Sequence, residues 1–293
     1  MDAGQSGVRV RIGATILPEL PGVRTGHPVV PQLAEAARQA IVLAGATVGR
    51  LAIGSTGLRG TASASELLDL VADSGISRVA LAHDSLTSHL GALGGQRGVV
   101  VAAGTGCVTF AVGATGVARV DGWGNIVGDA GSGFWIGRAG FDAVLRAHDG
   151  RGPATALAEI VMADFPDIEA AYLDIQNDPG YVSRVAAYAK VVAELADTDP
   201  VCAGIIDAAA DELANSAVVA LRRVGEDQCP STMVGTIGKV FLSARLRSRF
   251  ADLVQAVIPG AVLTTPLGDA LDGASQLFNL PADSPLRAHV SYA

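Results

Sequence analysis

The segment that decides the fold runs from Gly104 to Gly137 and contains two glycine-rich stretches. The first is Gly104-Thr105-Gly106-Cys107, and the second is Gly122-Trp123-Gly124-Asn125-Ile126-Val127-Gly128-Asp129-Ala130-Gly131-Ser132-Gly133-Phe134-Trp135-Ile136-Gly137. Glycines at this density leave backbone N–H groups uncovered, so a bound anion can approach the main chain closely. Asp129 is the only acidic residue of the second stretch and supplies a polar group there. The combination indicates a phosphate and sugar site.

Composition restricts the class of partner. The chain has 293 residues, of which 49% are hydrophobic, enough for a large core and more than one domain usually needs, so two lobes are expected. Its 21 basic and 29 acidic residues give a net charge of −8. Because no block of Lys or Arg is present to neutralise phosphates, we expect a small-molecule partner and no nucleic acid.

Apolar runs and cysteines point to the cell compartment. No apolar run approaches the length of a membrane span, and no basic region precedes an apolar signal core. We therefore expect no membrane partner and a cytoplasmic location. Cys107, Cys202 and Cys229 are far apart and form no C-x-x-C pair, so they indicate reduced thiols rather than a disulfide framework or a zinc site.

Hydrophobic periodicity predicts an α/β chain in which short buried strands alternate with helices. Strands are predicted at residues 8–12, 50–54, 78–82, 99–103, 108–112, 117–120 and 261–266, with a strand, glycine turn and helix start at 233–239. Helices are predicted at residues 31–46, 61–73, 85–93, 132–148, 152–165, 181–195, 201–224 and around 270–278. Two strand clusters separated by helices suggest a duplicated architecture.

Two short turns allow a structural and a functional interpretation. Asp2-Ala3-Gly4-Gln5-Ser6-Gly7 precedes the strand at 8–12, like the turn of a hairpin whose first strand is truncated. This segment is either an ordinary β-turn or part of a nucleotide site. In such a site its carboxylate would lie near Mg²⁺ and its amides would surround a γ-phosphate. Gly104-Thr105-Gly106 is likewise either a hairpin loop or a second phosphate clamp.

Two aspartates allow the same choice. Asp84 follows a buried strand and precedes a helix, so it is either the helix N-cap or a base that accepts the proton of an attacking hydroxyl. His83 is expected to point the opposite way and to be structural. Asp129 is either an N-cap or a ligand of a polyhydroxy molecule, with Trp123 available to stack on a sugar ring. Gly235-Thr236-Ile237-Gly238, at a predicted strand-to-helix turn, suits a nucleotide.

Seven motifs, read in chain order, resemble those of the BadF/BcrA-type ATPases and N-acetylglucosamine kinases. They are Asp2-Ala3-Gly4-Gln5-Ser6, Gly54 to Gly57, His83-Asp84-Ser85, Gly104-Thr105-Gly106-Cys107, the Gly122 to Gly137 block, Gly235-Thr236-Ile237-Gly238 and Asp272-Gly273-Ala274. The Gly122 to Gly137 block is the most specific and resembles the amino-sugar kinase branch, although Ala130 stands where that family usually has Glu.

The resemblance implies the actin-like ATPase fold, with two ribonuclease-H-like lobes and a nucleotide and sugar cleft between them. The lobes would comprise residues 1–95 with 276–293, and residues 96–275. The implied activity is phosphorylation of the 6-hydroxyl of an amino sugar, N-acetylglucosamine or glucosamine, with ATP and Mg²⁺ as cofactors. Homodimers are common in the family, so a homodimer is expected.

The resemblance also implies a role for each motif. The ATP-binding residues would be Asp2, Gly4, Gln5, Ser6, Gly104, Thr105, Gly106, Gly235, Thr236 and Gly238. The sugar would be bound by Thr56, Gly57, Asp84, Thr105, Gly122, Trp123 and Asp129. Asp84 would be the general base, and Asp2 would bind Mg²⁺.

Two other functions remain open on the residues alone. An ATP-driven activator of a dehydratase or of a benzoyl-CoA type reductase would need cysteines that ligate an iron–sulfur cluster, and the three cysteines lack such spacing. A non-catalytic sugar or nucleotide sensor would not require an acid at the end of the strand at 78–82. A ROK-type glucokinase is disfavoured because its cysteine-rich zinc motif is absent.

Overall fold

Two five-stranded sheets, each accompanied by helices, organise the chain in a computed structural model that describes residues 1–60 and 62–293. The first half contains β1 (Asp2–Ala3), β2 (Val8–Arg9), β3 (Arg11–Ile12), β4 (Thr15–Ile16), α1 (Val29–Ala44), β5 (Arg50–Ser55), α2 (Ala64–Leu70), β6 (Arg78–His83), α3 (Asp84–Leu93), β7 (Gly98–Ala103), β8 (Cys107–Val112) and β9 (Val117–Val120). The second half contains α4 (Gly133–His148), α5 (Leu157–Asp164), α6 (Ala171–Asn177), α7 (Tyr181–Leu195), α8 (Pro200–Val224), β10 (Thr232–Ile237), α9 (Ala244–Val257), β11 (Ala261–Thr264), α10 (Ala270–Gln276) and β12 (Val290–Tyr292).

The first sheet has the strand order β12-β6-β5-β1-β2. β5 lies between β1 and β6 and is parallel to both, whereas β2 and β12 are antiparallel edge strands. The single strand predicted at 8–12 is wrong. The segment forms two strands, β2 and β3, because the Val10 carbonyl accepts a hydrogen bond from the Leu17 N–H (3.0 Å). β3 therefore pairs with β4 outside this sheet.

The second sheet has the strand order β11-β10-β7-β8-β9. β7, β8 and β9 are neighbours in chain order, which confirms the predicted meander. β10 and β11 are parallel, with Gly235 opposite Thr264. None of the helices among the described residues is long and apolar enough to cross a membrane.

By its internal packing the chain divides into two compact units. The first unit is Met1–Val100, Phe110–Ala118 and Thr265–Ala293, and the second is Val101–Thr109 and Arg119–Thr264. The lobes predicted at 1–95 with 276–293 and at 96–275 stay a prediction.

In the first unit, the helix that carries Asp84 is held by close backbone packing. α3 lies against α10, where a Cβ on Gly91 would collide with the Asp269 carbonyl oxygen and a Cβ on Gly273 with the Thr87 carbonyl oxygen. Only glycine allows two helices to approach this closely. Leu86 and Leu90 of α3 pack with Leu277 in one buried cluster.

In the second unit, α4 and α7 approach each other in the same way, because a Cβ on Gly137 would collide with the Val185 carbonyl oxygen. The helix predicted at 152–165 begins only at Leu157. The Asp199 carboxylate accepts hydrogen bonds from the Thr155 hydroxyl (2.8 Å) and the Ala156 N–H (2.6 Å), which keeps the preceding residues out of the helix. The helix predicted at 61–73 begins at Ala64, and Thr61 lies outside the described residues.

Candidate active site

The carboxyl-terminal edge of the first sheet gathers the predicted residues of the first unit. Parallel strands end at the same edge, and here Ser55, the last residue of β5, lies opposite His83, the last residue of β6. Thr56 and Asp84 follow these two strands directly. The Thr56 N–H also donates to the Ala3 carbonyl (3.0 Å), so the turn after β1 belongs to the same edge.

The turn after β1 presents two uncommitted amides. The Gly4 N–H donates to the Gly7 carbonyl oxygen (3.0 Å) and closes the hairpin between β1 and β2. Within the described residues the backbone N–H groups of Gln5 and Ser6 make no hydrogen bond, and both residues are exposed. Adjacent free amides of this kind bind anions. Gln5 and Ser6 are thus suited to a phosphate, whereas the Gly4 amide is already used.

Asp2 is paired with an arginine. Asp2 Oδ2 accepts hydrogen bonds from Arg9 Nη2 (2.6 Å) and Nε (3.0 Å), and Arg9 Nη1 reaches Asp269 Oδ2 (2.7 Å). Among the described residues, Asp2 Oδ1 has no partner. Mg²⁺ is commonly held by one or two carboxylates together with phosphate oxygens and waters, so the free oxygen of Asp2 fits the magnesium ion that the sequence predicts.

His83 and Asp84 contact each other at the start of α3. His83 Nδ1 lies 2.7 Å from Asp84 Oδ1 and 2.9 Å from Ser85 Oγ, so the expectation that His83 points away from Asp84 is wrong. The alternative that Asp84 is the N-cap is also wrong. The helix begins one residue earlier than predicted because the His83 ring nitrogen accepts the cap hydrogen bond from the Ser85 N–H (3.3 Å). The Asp84 carboxylate is therefore not used for capping.

In the second unit, the turn between β7 and β8 repeats the arrangement of the first turn. The Gly104 N–H donates to the Gly106 carbonyl (2.9 Å). The first amides of α4 bind the turn's carbonyls, Gly133 to Gly104 (2.8 Å) and Phe134 to Thr105 (3.0 Å). The amides of Thr105 and Gly106 make no hydrogen bond within the described residues. This is a second pair of amides suited to an anion.

Asp129 is buried beside this turn. Only 8% of the residue is exposed, and its Oδ1 accepts a hydrogen bond from the Gly124 N–H (3.0 Å). A Cβ on Gly106 would lie 2.5 Å from Asp129 Oδ2, so a larger residue there would displace the carboxylate. Burial raises the pKa of Asp129 above its usual range; the Gly124 N–H opposes this shift, and the nearby Asp121 adds to it. The N-cap of α4 is Ser132, so the N-cap alternative for Asp129 is wrong.

Asp121 organises the loop and was missed by sequence reasoning, which started the glycine block at Gly122. Its carboxylate accepts hydrogen bonds from the N–H groups of Asp129 (2.8 Å) and Ala130 (2.9 Å). Asp121 and Asp129 both have φ of 57°, a left-handed conformation that is uncommon outside glycine. The signal that could have found Asp121 is an aspartate placed directly before Gly-x-Gly, since Asp tolerates this conformation and binds nearby amides.

Trp123 is 63% exposed at the tip of this loop. The Arg119 guanidinium lies over its ring, 4.6 Å from the ring centroid, and donates to the Gly122 carbonyl (3.2 Å). A cation on one face of an indole leaves the other face for an apolar surface such as a sugar ring. Stacking of a sugar on Trp123 stays a prediction.

The predicted adenosine turn differs from the structure. Gly235 and Thr236 lie inside β10 rather than in a turn, because Gly235 is paired with Thr264 of β11. Only Gly238 is at the turn, with φ of 102°. A Cβ on Gly238 would collide with the Ala103 carbonyl oxygen, one residue before Gly104. The structure thus places Gly238 beside the second pair of free amides.

Most of the chain matches the model of one known family. Residues 20–275 match the family model of the BadF/BadG/BcrA/BcrD ATPase family. The chain belongs to this family.

A protein similar to this chain has been described as a kinase. A 147-residue stretch, 50% of this chain, is 30% identical to an N-acetylmuramic acid/N-acetylglucosamine kinase of Clostridium acetobutylicum. That stretch spans 46% of the Clostridium protein, so this chain matches about half the length of that relative.

Solved structures show which fold this family member has. The chain is similar to a candidate N-acetylglucosamine kinase from Chromobacterium violaceum, with a TM-score of 0.67 and 24% identity over 93% of this chain and 95% of that one. A candidate N-acetylglucosamine kinase from Porphyromonas gingivalis gives a TM-score of 0.69 and 17% identity over 94% and 96%. The fold is the actin-like ATPase fold of sugar kinases, and that prediction is confirmed.

Proposed function

We propose that this protein transfers the γ-phosphoryl group of ATP to the 6-hydroxyl of an amino sugar, either N-acetylglucosamine or glucosamine. The observation that carries the proposal is the position of Asp84, a carboxylate that caps no helix at the same sheet edge as Thr56 and the free amides of Gln5 and Ser6. Family membership and the kinase name of the Clostridium relative support it.

Asp84 acts as the base. Its carboxylate takes the proton of the sugar 6-hydroxyl as that oxygen attacks the γ-phosphorus, and the bond from phosphorus to the bridging oxygen of ADP breaks. The products are a sugar 6-phosphate and ADP. Phosphoryl transfer of this kind depends mainly on positioning and on neutralising charge. His83 Nδ1 contacts Asp84 Oδ1 at the start of α3, so the ring lies directly beside the proposed base.

The free amides bind the phosphates. Gln5 and Ser6 in the first unit and Thr105 and Gly106 in the second each present two N–H groups to phosphate oxygens. Mg²⁺, when bound, neutralises charge on the transferring group, and the free oxygen of Asp2 is the ligand we assign to it.

The loop of Gly122 to Asp129 binds the sugar. Asp129 accepts the Gly124 N–H through Oδ1, and we assign its carboxylate as the acceptor for a sugar hydroxyl. Trp123 supplies the apolar face of the ring contact, while Thr56 and Gly57 are the sugar ligands we assign to the first unit. The cytoplasmic location and the homodimer stay predictions.

The experiment that tests this function is an ADP-release assay with ATP and Mg²⁺ across N-acetylglucosamine, glucosamine, N-acetylmuramic acid and glucose. We expect sugar-dependent ADP release, with ³¹P–¹H coupling in the product placing the phosphate on C6. ADP release that is the same with and without every sugar would contradict the proposal.

A further inference from the structure

The tip of the loop that we assign to the sugar, residues 124–128, exposes its apolar side chains. Its backbone closes through a hydrogen bond from the Gly128 N–H to the Gly124 carbonyl (2.8 Å). Ile126 and Val127, which lie between these two glycines, are 84% and 78% exposed. A segment with few buried apolar contacts opens easily unless other bonds hold it. The position of this tip therefore depends on its polar contacts.

One hydrogen bond joins this tip to the helices of the second unit. Asn125 Nδ2 donates to the Tyr181 hydroxyl (3.2 Å). In the part of the chain that the structure describes, no other hydrogen bond links residues 124–128 to a helix. Asn125 directly follows Gly124, whose N–H donates to the Asp129 carboxylate (3.0 Å). The bond to Tyr181 therefore lies one residue from the amide that contacts a proposed sugar ligand.

Tyr181 belongs to the packing of α4 against α7. It is the first residue of α7, and its ring meets the ring of Phe134 on α4 edge to face, with centroids 6.0 Å apart. Phe134 in turn donates its backbone N–H to the Thr105 carbonyl (3.0 Å), in the turn that presents the second pair of free amides. The Tyr181 hydroxyl thus attaches the sugar loop to the same pair of helices that holds this turn.

We propose that Tyr181 is a positioning residue for sugar binding. Its hydroxyl holds Asn125, and this bond keeps the Gly124 N–H on the Asp129 carboxylate, so that the loop is already in place when the sugar arrives. Binding groups that are held in position before the ligand arrives cost less free energy to order on binding. In this role Tyr181 acts through Asn125 and not on the reacting atoms. The inference rests on the proposed function, because it takes this loop as the sugar-binding element.

The test is Tyr181→Phe in the full chain, with N-acetylglucosamine or glucosamine, whichever the wild-type enzyme binds more tightly. Phenylalanine keeps the ring that packs on Phe134 and removes only the hydroxyl. Loss of one neutral hydrogen bond corresponds to about 3- to 10-fold in an equilibrium constant. We expect the sugar KM and the calorimetric sugar Kd to rise by that factor, while kcat and the KM for ATP stay close to wild type. Tyr172→Phe, at a tyrosine 53% exposed on α6, is the control and should match wild type.

A double-mutant cycle shows whether Tyr181 acts through Asn125. Asn125→Ala should raise the sugar Kd by a similar factor, and the variant with both substitutions should bind the sugar no more weakly than the weaker single variant, because the two substitutions remove the same bond. Losses that add in the double variant would overturn the role assigned to Tyr181. A Tyr181→Phe protein whose kcat falls together with its affinity for both substrates would also overturn it, since that result indicates a general structural defect.

The calorimetric Kd separates this inference from the proposed function. If a sugar is phosphorylated and the sugar Kd of Tyr181→Phe equals that of wild type, the positioning role is overturned and the kinase proposal stands. If wild type binds a sugar without phosphorylating it, the proposed function fails, and the Kd of Tyr181→Phe still decides the role of Tyr181. If wild type binds neither N-acetylglucosamine nor glucosamine, both proposals fail.

Discussion

The Asp121 carboxylate accepts a hydrogen bond of 2.8 Å from the backbone N–H of Asp129, and both residues hold a left-handed backbone. Left-handed non-glycine residues cost free energy unless their surroundings hold them. Asp121→Ala removes the acceptor that holds the loop. We expect it to raise the KM for the sugar about 10- to 100-fold, because Asp129 and Trp123 lose their positions.

The matched control for that variant is Asp252→Asn, an exposed aspartate on α9. Its KM should equal that of wild type. Asp121→Asn keeps one carbonyl oxygen and should fall between the two. A sugar KM in Asp121→Ala within about twofold of wild type would show that the loop does not depend on this carboxylate.

His83 has two separable roles, capping α3 and contacting Asp84. His83→Ala removes both, and we expect it to lower the free energy of unfolding by about 1 kcal/mol and also to lower kcat. His83→Asn keeps a cap acceptor, so it should retain stability while kcat falls about 3- to 10-fold through loss of the contact with Asp84. Urea unfolding and steady-state kinetics measure the two effects. Equal kcat in wild type and His83→Asn would assign His83 to capping alone.

His89 makes stability depend on pH. The side chain is fully buried, with its ring edge-on to Phe110 at 5.9 Å, and burial lowers the pKa of His89 from 6.5 to about 4. Below pH 6.5 the imidazole of His89 binds a proton in the unfolded chain, whereas in the folded chain it stays neutral until the pH approaches 4. Stability is therefore complete above pH 6.5 and falls as the pH approaches 4, by about 3 kcal/mol from this residue.

The pH dependence is measured by urea unfolding at pH 7.5, 5.5 and 4.5. We expect His89→Gln to lose less stability on acidification than wild type, because its side chain does not titrate. His27→Gln, at an exposed histidine, is the control and should follow wild type. Parallel pH curves for wild type and His89→Gln would exclude His89 as the source.

Gly273 permits the close approach of α10 to α3. A Cβ there would collide with the Thr87 carbonyl oxygen, so Gly273→Ala should destabilise the protein by about 1–3 kcal/mol. Gly204 on α8 has open space where a Cβ would lie, and Gly204→Ala should instead stabilise by about 0.5–1 kcal/mol through helix propensity. Thermal unfolding of both variants checks the contrast, and equal effects would contradict the packing account.

Local sequence pattern was sufficient where an element is strongly periodic. α7 and β9 have the predicted bounds, since each directly follows a glycine and carries regular apolar spacing. α6, with seven residues and no side-chain cap, carries too short a pattern to predict. β12 was missed because its pairing with β6 joins residues that lie far apart in the chain.

The candidate site was predictable as motifs but not as contacts. The density of glycines indicated the loop. The Asp121 carboxylate, however, accepts hydrogen bonds from amides eight and nine residues further along the chain, and no short sequence pattern predicts contacts at that separation. His83 was misjudged because strand alternation predicts that neighbours point apart, whereas the chain leaves β6 between His83 and Asp84. Gly235 was misplaced because pairing with β11 extends the strand through the predicted turn.

The most direct test of the account is kcat for Asp84→Asn with the best acceptor sugar, beside Asp283→Asn as an exposed control and with ATP affinity measured separately. We predict that Asp84→Asn lowers kcat about 10²- to 10⁴-fold, with ATP affinity close to that of wild type and Asp283→Asn unaffected. A folded Asp84→Asn protein that turns over at nearly the wild-type rate would contradict the claim that Asp84 takes the proton from the sugar.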